Sequence, residues 1–187
     1  RVVPCGTSLA DFEAADPTRL REVVATLAAD TDVILLDSAA TLSSRAAVLP
    51  IVLADRVVVV LEPTIPSLSD GLKVQEYASS YGTETAGVLY NKVSDSDNLA
   101  SVSERAEQYF DGPRLAAIPE SETVRAATAT EEPLLAYDRT SGAALAYETA
   151  AAALSINEHD PASLAKRARS AIQPDQPANP DSIPLSP

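Results

Sequence analysis

Three polar positions that each follow an apolar, strand-like segment could do chemistry together: Asp37, Asn91 and the pair Pro119 and Glu120. Asp37 ends the segment 32–37, in which four consecutive apolar residues stand between two aspartates. Such a segment is typical of a short strand that is buried on both faces of a parallel sheet. Because ligands of open α/β sheets bind at the carboxyl ends of the strands, Asp37 is a candidate for holding a metal ion or a phosphate-bound water. The alternative is an aspartate that only caps the following turn.

The elements that must position these residues alternate between strand and helix along the chain. The predicted strands cover residues 32–37, 56–61, 85–90 and 114–118, and the predicted helices lie near residues 16–29, 45–53, 67–81, 97–110, 121–130 and 141–154. An alternation of this kind predicts an α/β fold with a doubly wound, mostly parallel sheet and helices on both faces. In such a sheet the three polar positions share one edge.

The length and composition predict one globular domain over residues 1–156, followed by a proline-rich, disordered tail over residues 157–187. No apolar run approaches the roughly 20 residues that a membrane span needs. The single cysteine, Cys5, cannot form an internal disulfide, so a reducing cytoplasm is the expected location. The single histidine, His159, has no neighbouring metal-ligating residue in the sequence, and we interpret it as solvated.

The formal net charge of −13 argues against direct nucleic-acid binding, because the phosphate backbone would be repelled. A short basic cluster at Lys166, Arg167 and Arg169 gives only weak support for peripheral contact with a membrane. An acidic chain with three lysines resembles proteins of salt-loving microorganisms, in which salt screens the repulsion between carboxylates. In that setting the acidic composition reflects a salt-rich solvent and does not indicate the chemistry of a binding partner.

The polar positions at the strand ends, taken in order, resemble the MinD/ParA family of P-loop ATPases, a group that also includes CobQ/CobB-type nucleotide-binding domains. The resemblance runs from about Val2 to Leu154. It implies that Asp37 is the Walker B aspartate, which contacts the Mg²⁺ of the nucleotide through water. This chain departs from the family pattern directly after Asp37, since residues 38–41 lack the usual proline and glycine.

Two further matches concern the base of the nucleotide. Asn91-Lys92 resembles the family's Asn-Lys or Asn-Arg pair, and a carboxamide offers the donor and acceptor that the N6 and N7 edge of adenine requires. The turn at Pro119 and Glu120 resembles the family's Ile-Pro-Glu/Asp turn, which implies backbone contacts to the base. Glu120 and the following Ser121 could equally be helix-cap residues. Glu62-Pro63-Thr64 and Asp70 also resemble a family stretch in which a Pro-Glu turn leads into a helix.

The phosphate-binding part of the family pattern is not found in this sequence. None of the six glycines is followed by lysine, so there is no Gly-x-x-x-x-Gly-Lys-Ser/Thr loop. We therefore expect the chain to be the carboxyl-terminal portion of a MinD/ParA-like ATPase and to be inactive alone, with no catalytic residue of its own. The resemblance implies that the complete protein binds ATP and Mg²⁺, forms a homodimer, responds to a regulatory partner protein, and acts in positioning the cell-division site or in partitioning chromosomes, plasmids or protein complexes.

Two alternatives remain open from the sequence. One is a regulatory or scaffold module that has the same fold but does not hydrolyse nucleotide. The other is a receiver-like phosphoacceptor domain, since residues 32–37 also resemble the strand that ends in a phosphorylated aspartate. Against the receiver, residues 1–5 contain no acid, and Val93 rather than proline follows Lys92.

Overall fold

The computed structural model describes residues 2–4, 8, 10, 14–38, 45–94 and 108–154. In this part of the chain three parallel strands form a sheet in the order β1, β2, β3, and helices lie before, between and after them. The elements are a 3₁₀ helix Pro17–Arg19, α1 Leu20–Ala28, α2 Arg45–Leu53, β1 Arg56–Leu61, α3 Ile65–Ser80, β2 Glu84–Val93, β3 Arg114–Pro119, α4 Glu122–Ala129, α5 Leu134–Tyr137 and α6 Gly142–Ala153.

Short polar side chains cap four of the helices, as their types predict. The Asp16 carboxylate accepts a hydrogen bond of 2.9 Å from the backbone N–H of Thr18, and a proline follows it in the first turn. Thr64 caps α3, Ser121 caps α4 and Ser141 caps α6, each through a side-chain oxygen that accepts a backbone N–H. These caps satisfy donors that the first turn of a helix leaves without partners. The predicted starts of these helices are confirmed to within about two residues.

The sheet has apolar packing on both of its faces. Val88 and Tyr90 of β2 lie in a buried cluster with Val59 and Leu61 of β1, against which α3 packs. Leu89, which points to the other face because side chains alternate along a strand, packs against a cluster that includes Ile118 and α6. The prediction of a parallel sheet with helices on both faces is confirmed.

The predicted strand over residues 32–37 is not part of this sheet. The segment has no regular secondary structure, and Leu35 is 87% exposed. Its alternate residues Ile34 and Leu36 pack against Val24 of α1 and Leu53 of α2. The prediction of a strand buried on both faces is therefore wrong for this structure, because a strand needs a hydrogen-bonded neighbour and the described residues provide none for this segment.

The prediction of a strand at β1 is correct. The prediction that both of its faces are buried is wrong for one face. Val59 and Leu61 are buried, whereas Val58 and Val60 on the opposite face are 38% and 55% exposed. On this side of the sheet, α6 packs against β3 and Leu89 of β2, and the cluster that it forms does not include Val58 or Val60.

Several predictions fall outside the described residues. These are most of the helix near residues 97–110, Cys5, His159, and the tail over residues 157–187. None of the described helices has the length and hydropathy needed to cross a bilayer.

Candidate functional site

The candidate site is the edge of the sheet where the three parallel strands end. Leu61, the last residue of β1, pairs with Tyr90, and Val93, the last residue of β2, pairs with Pro119 of β3. The backbone N–H of Glu120 also donates a hydrogen bond of 2.9 Å to the carbonyl oxygen of Val93. The structure thus brings Asn91, Pro119 and Glu120 to one edge.

Strand β2 contains a bulge at this edge. Tyr90 pairs with Ala117 and Val93 pairs with Pro119, so the two residues Asn91 and Lys92 stand opposite one residue of β3. Lys92 has a φ angle of 53°, a left-handed conformation that costs energy for a residue with a side chain. Bulges of this kind change the direction of side chains and are over-represented beside active sites.

Charged side chains connect the ends of the strands. The Lys92 ammonium donates to the Glu62 carboxylate at 2.6 Å, which ties the end of β2 to the residue after β1. The hydrogen bond and the charge of Glu62 raise the pKa of Lys92, and the charge of Glu120 adds to this effect. Arg125 of α4 forms ion pairs with Glu120 and Glu122, and these carboxylates raise the pKa of Arg125.

The Asn91 carboxamide is half-buried at this edge, and it makes no hydrogen bond with any residue in the described part of the chain. A carboxamide has N–H donors and an oxygen acceptor, the groups that recognition of a base edge requires. Pro119 is also half-buried and lies near the start of α6, where a Cβ built on Gly142 would stand 3.8 Å from the proline ring. Ser121 acts as the cap of α4, so the helix-cap alternative is correct for Ser121, while the Glu120 carboxylate contacts Arg125 instead.

Asp37 lies in the extended segment beside α1 and α2, and its neighbour Ser38 donates a hydrogen bond of 2.7 Å to the carbonyl oxygen of Ala47 in α2. No hydrogen bond or ion pair within the described residues joins Asp37 to the edge formed by Asn91 and Pro119. Its role in holding a metal stays a prediction.

The donor chemistry at Asp37 fits a magnesium ion that the nucleotide and water also bind. The described residues contain no group of three or more His, Cys, Asp or Glu that could hold a metal ion by themselves. Mg²⁺ in nucleotide sites needs only one or two carboxylates, with substrate phosphates and waters as the remaining ligands. The exposed Asp37 carboxylate is compatible with such a role.

A shallow depression lies elsewhere, at the opposite edge of the sheet. It is lined by Ser79, Gly82, Thr83, Glu84, Thr85 and Asp111. Because these residues precede or begin the strands, the depression is separate from the carboxyl ends at which open α/β sheets bind ligands. We therefore place the candidate site at the carboxyl edge and not in this depression.

The contacts of Lys92, Glu62 and Arg125 were not predicted from the sequence. A signal was available, since Glu62 follows one strand and Lys92 ends the next, and parallel neighbours bring such ends together. The signal was insufficient because the bulge at Asn91 and Lys92, which places the lysine within reach of Glu62, depends on the register with β3.

Comparisons with known proteins identify the class. No family model matches the chain. An uncharacterised ATP-binding protein of Methanocaldococcus jannaschii is 32% identical over 171 residues, which are 91% of this chain and 64% of that protein. A second ATP-binding protein of the same organism is 30% identical over 146 residues, 78% of this chain and 55% of that protein. The chain thus spans less than two thirds of the length of these relatives.

Two solved structures share the fold. The septum site-determining protein MinD of Pyrococcus horikoshii, solved as a complex with Mg-ADP, matches with a TM-score of 0.67 and 29% identity over 78% of this chain and 59% of that one. The cell division ATPase MinD of Pyrococcus furiosus matches with a TM-score of 0.70 and 28% identity over 79% of this chain and 62% of that one.

The parallel sheet with helices on both faces and these matches define a MinD-like P-loop NTPase fold. In sequence and fold the chain is similar to the MinD/ParA-like P-loop ATPases. The resemblance inferred from the strand-end residues is confirmed at the level of the family, and the receiver-like alternative is not supported.

Proposed function

We propose that this chain supplies the base-binding and metal-facing part of an adenine-nucleotide site, in a protein that binds ATP with Mg²⁺. The observation that carries the proposal is the likeness to a MinD structure solved with Mg-ADP, at 29% identity over 78% of this chain. The two ATP-binding relatives support the same ligand.

The residues at the carboxyl edge have the chemistry for this task. The half-buried Asn91 carboxamide can donate an N–H to N7 of adenine and accept a hydrogen bond from the N6 amine. A guanine base does not offer this combination of acceptor and donor. Pro119 and Glu120 lie on the neighbouring strand end, where their backbone can contact the base. Asp37 would bind Mg²⁺ through water, and the ion would neutralise phosphate charge.

Hydrolysis needs groups beyond those in these 187 residues. The sequence has no glycine-rich phosphate loop and no lysine following a glycine, so nothing here cradles the phosphates in the manner of that loop. We propose that ATP turnover belongs to a form of the protein that carries such a loop. That form would act as a homodimer in positioning the division site or in partitioning DNA or protein complexes, with a partner protein regulating turnover.

The second candidate is a regulatory or scaffold module that binds nucleotide without hydrolysing it. The lack of a phosphate loop in these 187 residues does not separate the two candidates, because the chain spans less than two thirds of the length of its relatives. Reading the gene upstream of Arg1 separates the two candidates, because a Gly-x-x-x-x-Gly-Lys-Ser/Thr segment there supports the ATPase and its absence supports the module.

The proposal is tested by calorimetric titration of the 187-residue chain with ATP and GTP, each with and without Mg²⁺. We expect preferential binding of ATP, weakened by Asn91→Asp, because a carboxylate lacks the donor that the carboxamide provides. Weaker binding of ATP with Mg²⁺ by Asp37→Asn, with no effect on binding without Mg²⁺, would support the metal role. Equal affinity for ATP and GTP, or ATP hydrolysis by this chain alone, would contradict the proposal.

A further inference from the structure

The bulge at the end of β2 is held in place on both sides. Before the bulge, Tyr90 pairs with Leu61 of β1 and Ala117 of β3. After it, the Val93 carbonyl oxygen accepts the backbone N–H of Glu120 at 2.9 Å. Asn91 and Lys92 are therefore the only two residues of β2 between fixed pairings on this edge.

The Lys92 side chain adds a third anchor from β1. Its ammonium lies 2.6 Å from the Glu62 carboxylate, and the backbone N–H of Glu62 donates at 3.0 Å to the hydroxyl of Ser67 in α3. Glu62, the ion-pair partner of Lys92, is thus itself hydrogen-bonded to helix α3. An ion pair this exposed, with side chains 64% and 49% accessible, contributes little to global stability.

Lys92 has a left-handed backbone conformation inside a strand, and its ion pair contributes little to global stability. The conformation therefore needs a local explanation. Conformations of this kind persist where the surrounding structure enforces them, and they cluster at ligand sites. The residue beside Lys92 in the bulge is Asn91, the half-buried carboxamide that has no hydrogen-bond partner in the described part of the chain. The orientation of the peptide group between Asn91 and Lys92 depends on the φ angle of Lys92.

We propose that Lys92 is a positioning residue: its ion pair with Glu62 holds the two-residue bulge of β2 in the conformation that orients the Asn91 carboxamide for an adenine base. This inference rests on the proposed function for its ligand. Its structural part, the control of Asn91 by the ion pair, stands independently of nucleotide binding.

Four variants distinguish the effect of the ion pair from the effect of the left-handed backbone conformation. Lys92→Asn removes the cation, while asparagine still tolerates a positive φ angle. Glu62→Gln removes the other charge and leaves Lys92 unchanged. Lys92→Arg keeps a cation. Lys73→Asn is the matched control, because Lys73 also forms a 2.9 Å ion pair with a carboxylate, that of Asp70 one turn earlier in α3.

Two readouts are measured on the 187-residue chain. The first is NMR of the Asn91 side-chain NH₂ group and of the backbone amides of Lys92 and Val93. The second is the ratio of the dissociation constants for ATP and GTP in the presence of Mg²⁺. We expect Lys92→Asn and Glu62→Gln to shift the Asn91 signals and to lower the preference for ATP by about threefold, a size set by the modest strength of exposed ion pairs. Lys92→Arg should largely retain the native signals and ratio, and Lys73→Asn should change neither.

The outcomes distinguish this proposal from the proposed function. If the native chain binds no ATP, the proposed function fails, and the Asn91 signals still decide the structural part. Signals that move in Lys92→Asn and Glu62→Gln but not in Lys73→Asn support the role of the ion pair. Unmoved Asn91 signals, or equal effects of Lys92→Asn and Lys73→Asn on the ratio, overturn it. Thermal unfolding of each variant shows whether a change reflects loss of the fold.

Discussion

At the scale of single residues, the candidate site depends on atoms whose positions follow from backbone conformation. Asn91 was identified from its place after an apolar strand, and the parallel register brings it next to Pro119 and Glu120, as strand ends predict. The ion pair between Lys92 and Glu62 escaped sequence analysis because it follows from a bulge and a positive φ angle. Neither feature has a sequence signal when the residue is lysine, whereas a glycine or asparagine there would have indicated one.

Gly71 illustrates how one residue sets the distance between helix α3 and the sheet. A Cβ built at this position would stand 2.5 Å from Cδ2 of Leu61 and 3.1 Å from both Phe110 and Val59. Leu61 is 3% exposed and Phe110 is 6% exposed, so neither side chain can move aside freely. The helix therefore packs against β1 at a separation at which a Cβ at position 71 would have to displace the Leu61 side chain.

We expect Gly71→Ala to lower the free energy of unfolding by about 1 kcal/mol or more, because the cost of overpacking exceeds the gain in helix propensity. Urea denaturation followed by circular dichroism measures the change. Gly142→Ala is the control, since the Cβ built there meets nothing closer than 3.8 Å and its substitution should be neutral or stabilising. A Gly71→Ala variant as stable as the native chain would show that α3 can move away from β1 at little cost.

At the scale of elements, the predictions succeed where a segment finds its partners among the described residues. The three strands of the sheet and the helices on its faces were located from apolar runs and cap residues. Residues 32–37 have an equally strong apolar pattern, yet they form no strand, because sequence indicates a preference for burial but not the presence of a neighbouring strand. The exposed face of β1 at Val58 and Val60 has a different cause, since the sequence does not show which helix covers each face of a strand.

Thr83 shows how two elements that are distant in sequence are joined. It lies between α3 and β2, is 2% exposed, and its hydroxyl donates a hydrogen bond of 3.0 Å to the carbonyl oxygen of Ile51. Ile51 is in the last turn of α2, where helices leave carbonyl oxygens without intrahelical partners. This hydrogen bond attaches α2 to the start of β2.

We expect Thr83→Val to lower the free energy of unfolding by about 1–2 kcal/mol, since valine keeps the volume and removes the donor from a buried acceptor. Chemical denaturation measures the change, and hydrogen exchange of the α2 amides should show faster local opening. The matched control is Thr85→Val, because the Thr85 hydroxyl makes no hydrogen bond to the described residues, and we expect an effect within about 0.5 kcal/mol. Equal effects of the two substitutions on the free energy of unfolding would show that the hydrogen bond of the Thr83 hydroxyl does not stabilise the fold.

At the scale of the whole molecule, charge is the dominant feature. The net charge is −13, and the ion pairs of the described residues are mostly exposed, so they offset little of the repulsion between carboxylates. Self-repulsion of this size destabilises a compact state at low ionic strength. The resemblance to proteins of salt-loving microorganisms stays a prediction, and it has a physical consequence that can be measured.

We expect the melting temperature to rise between 0.01 and 1 M KCl, because the screening length falls from about 30 Å to about 3 Å over that range and the carboxylates cease to repel one another. Neutralising three exposed acids together, Glu76→Gln, Glu84→Gln and Glu131→Gln, should raise the melting temperature in 0.01 M KCl and have almost no effect in 1 M KCl. Circular dichroism at each salt concentration measures both curves. If repulsion controls stability, the two curves converge as salt increases, whereas a native melting temperature that is flat or falling with salt would refute the prediction.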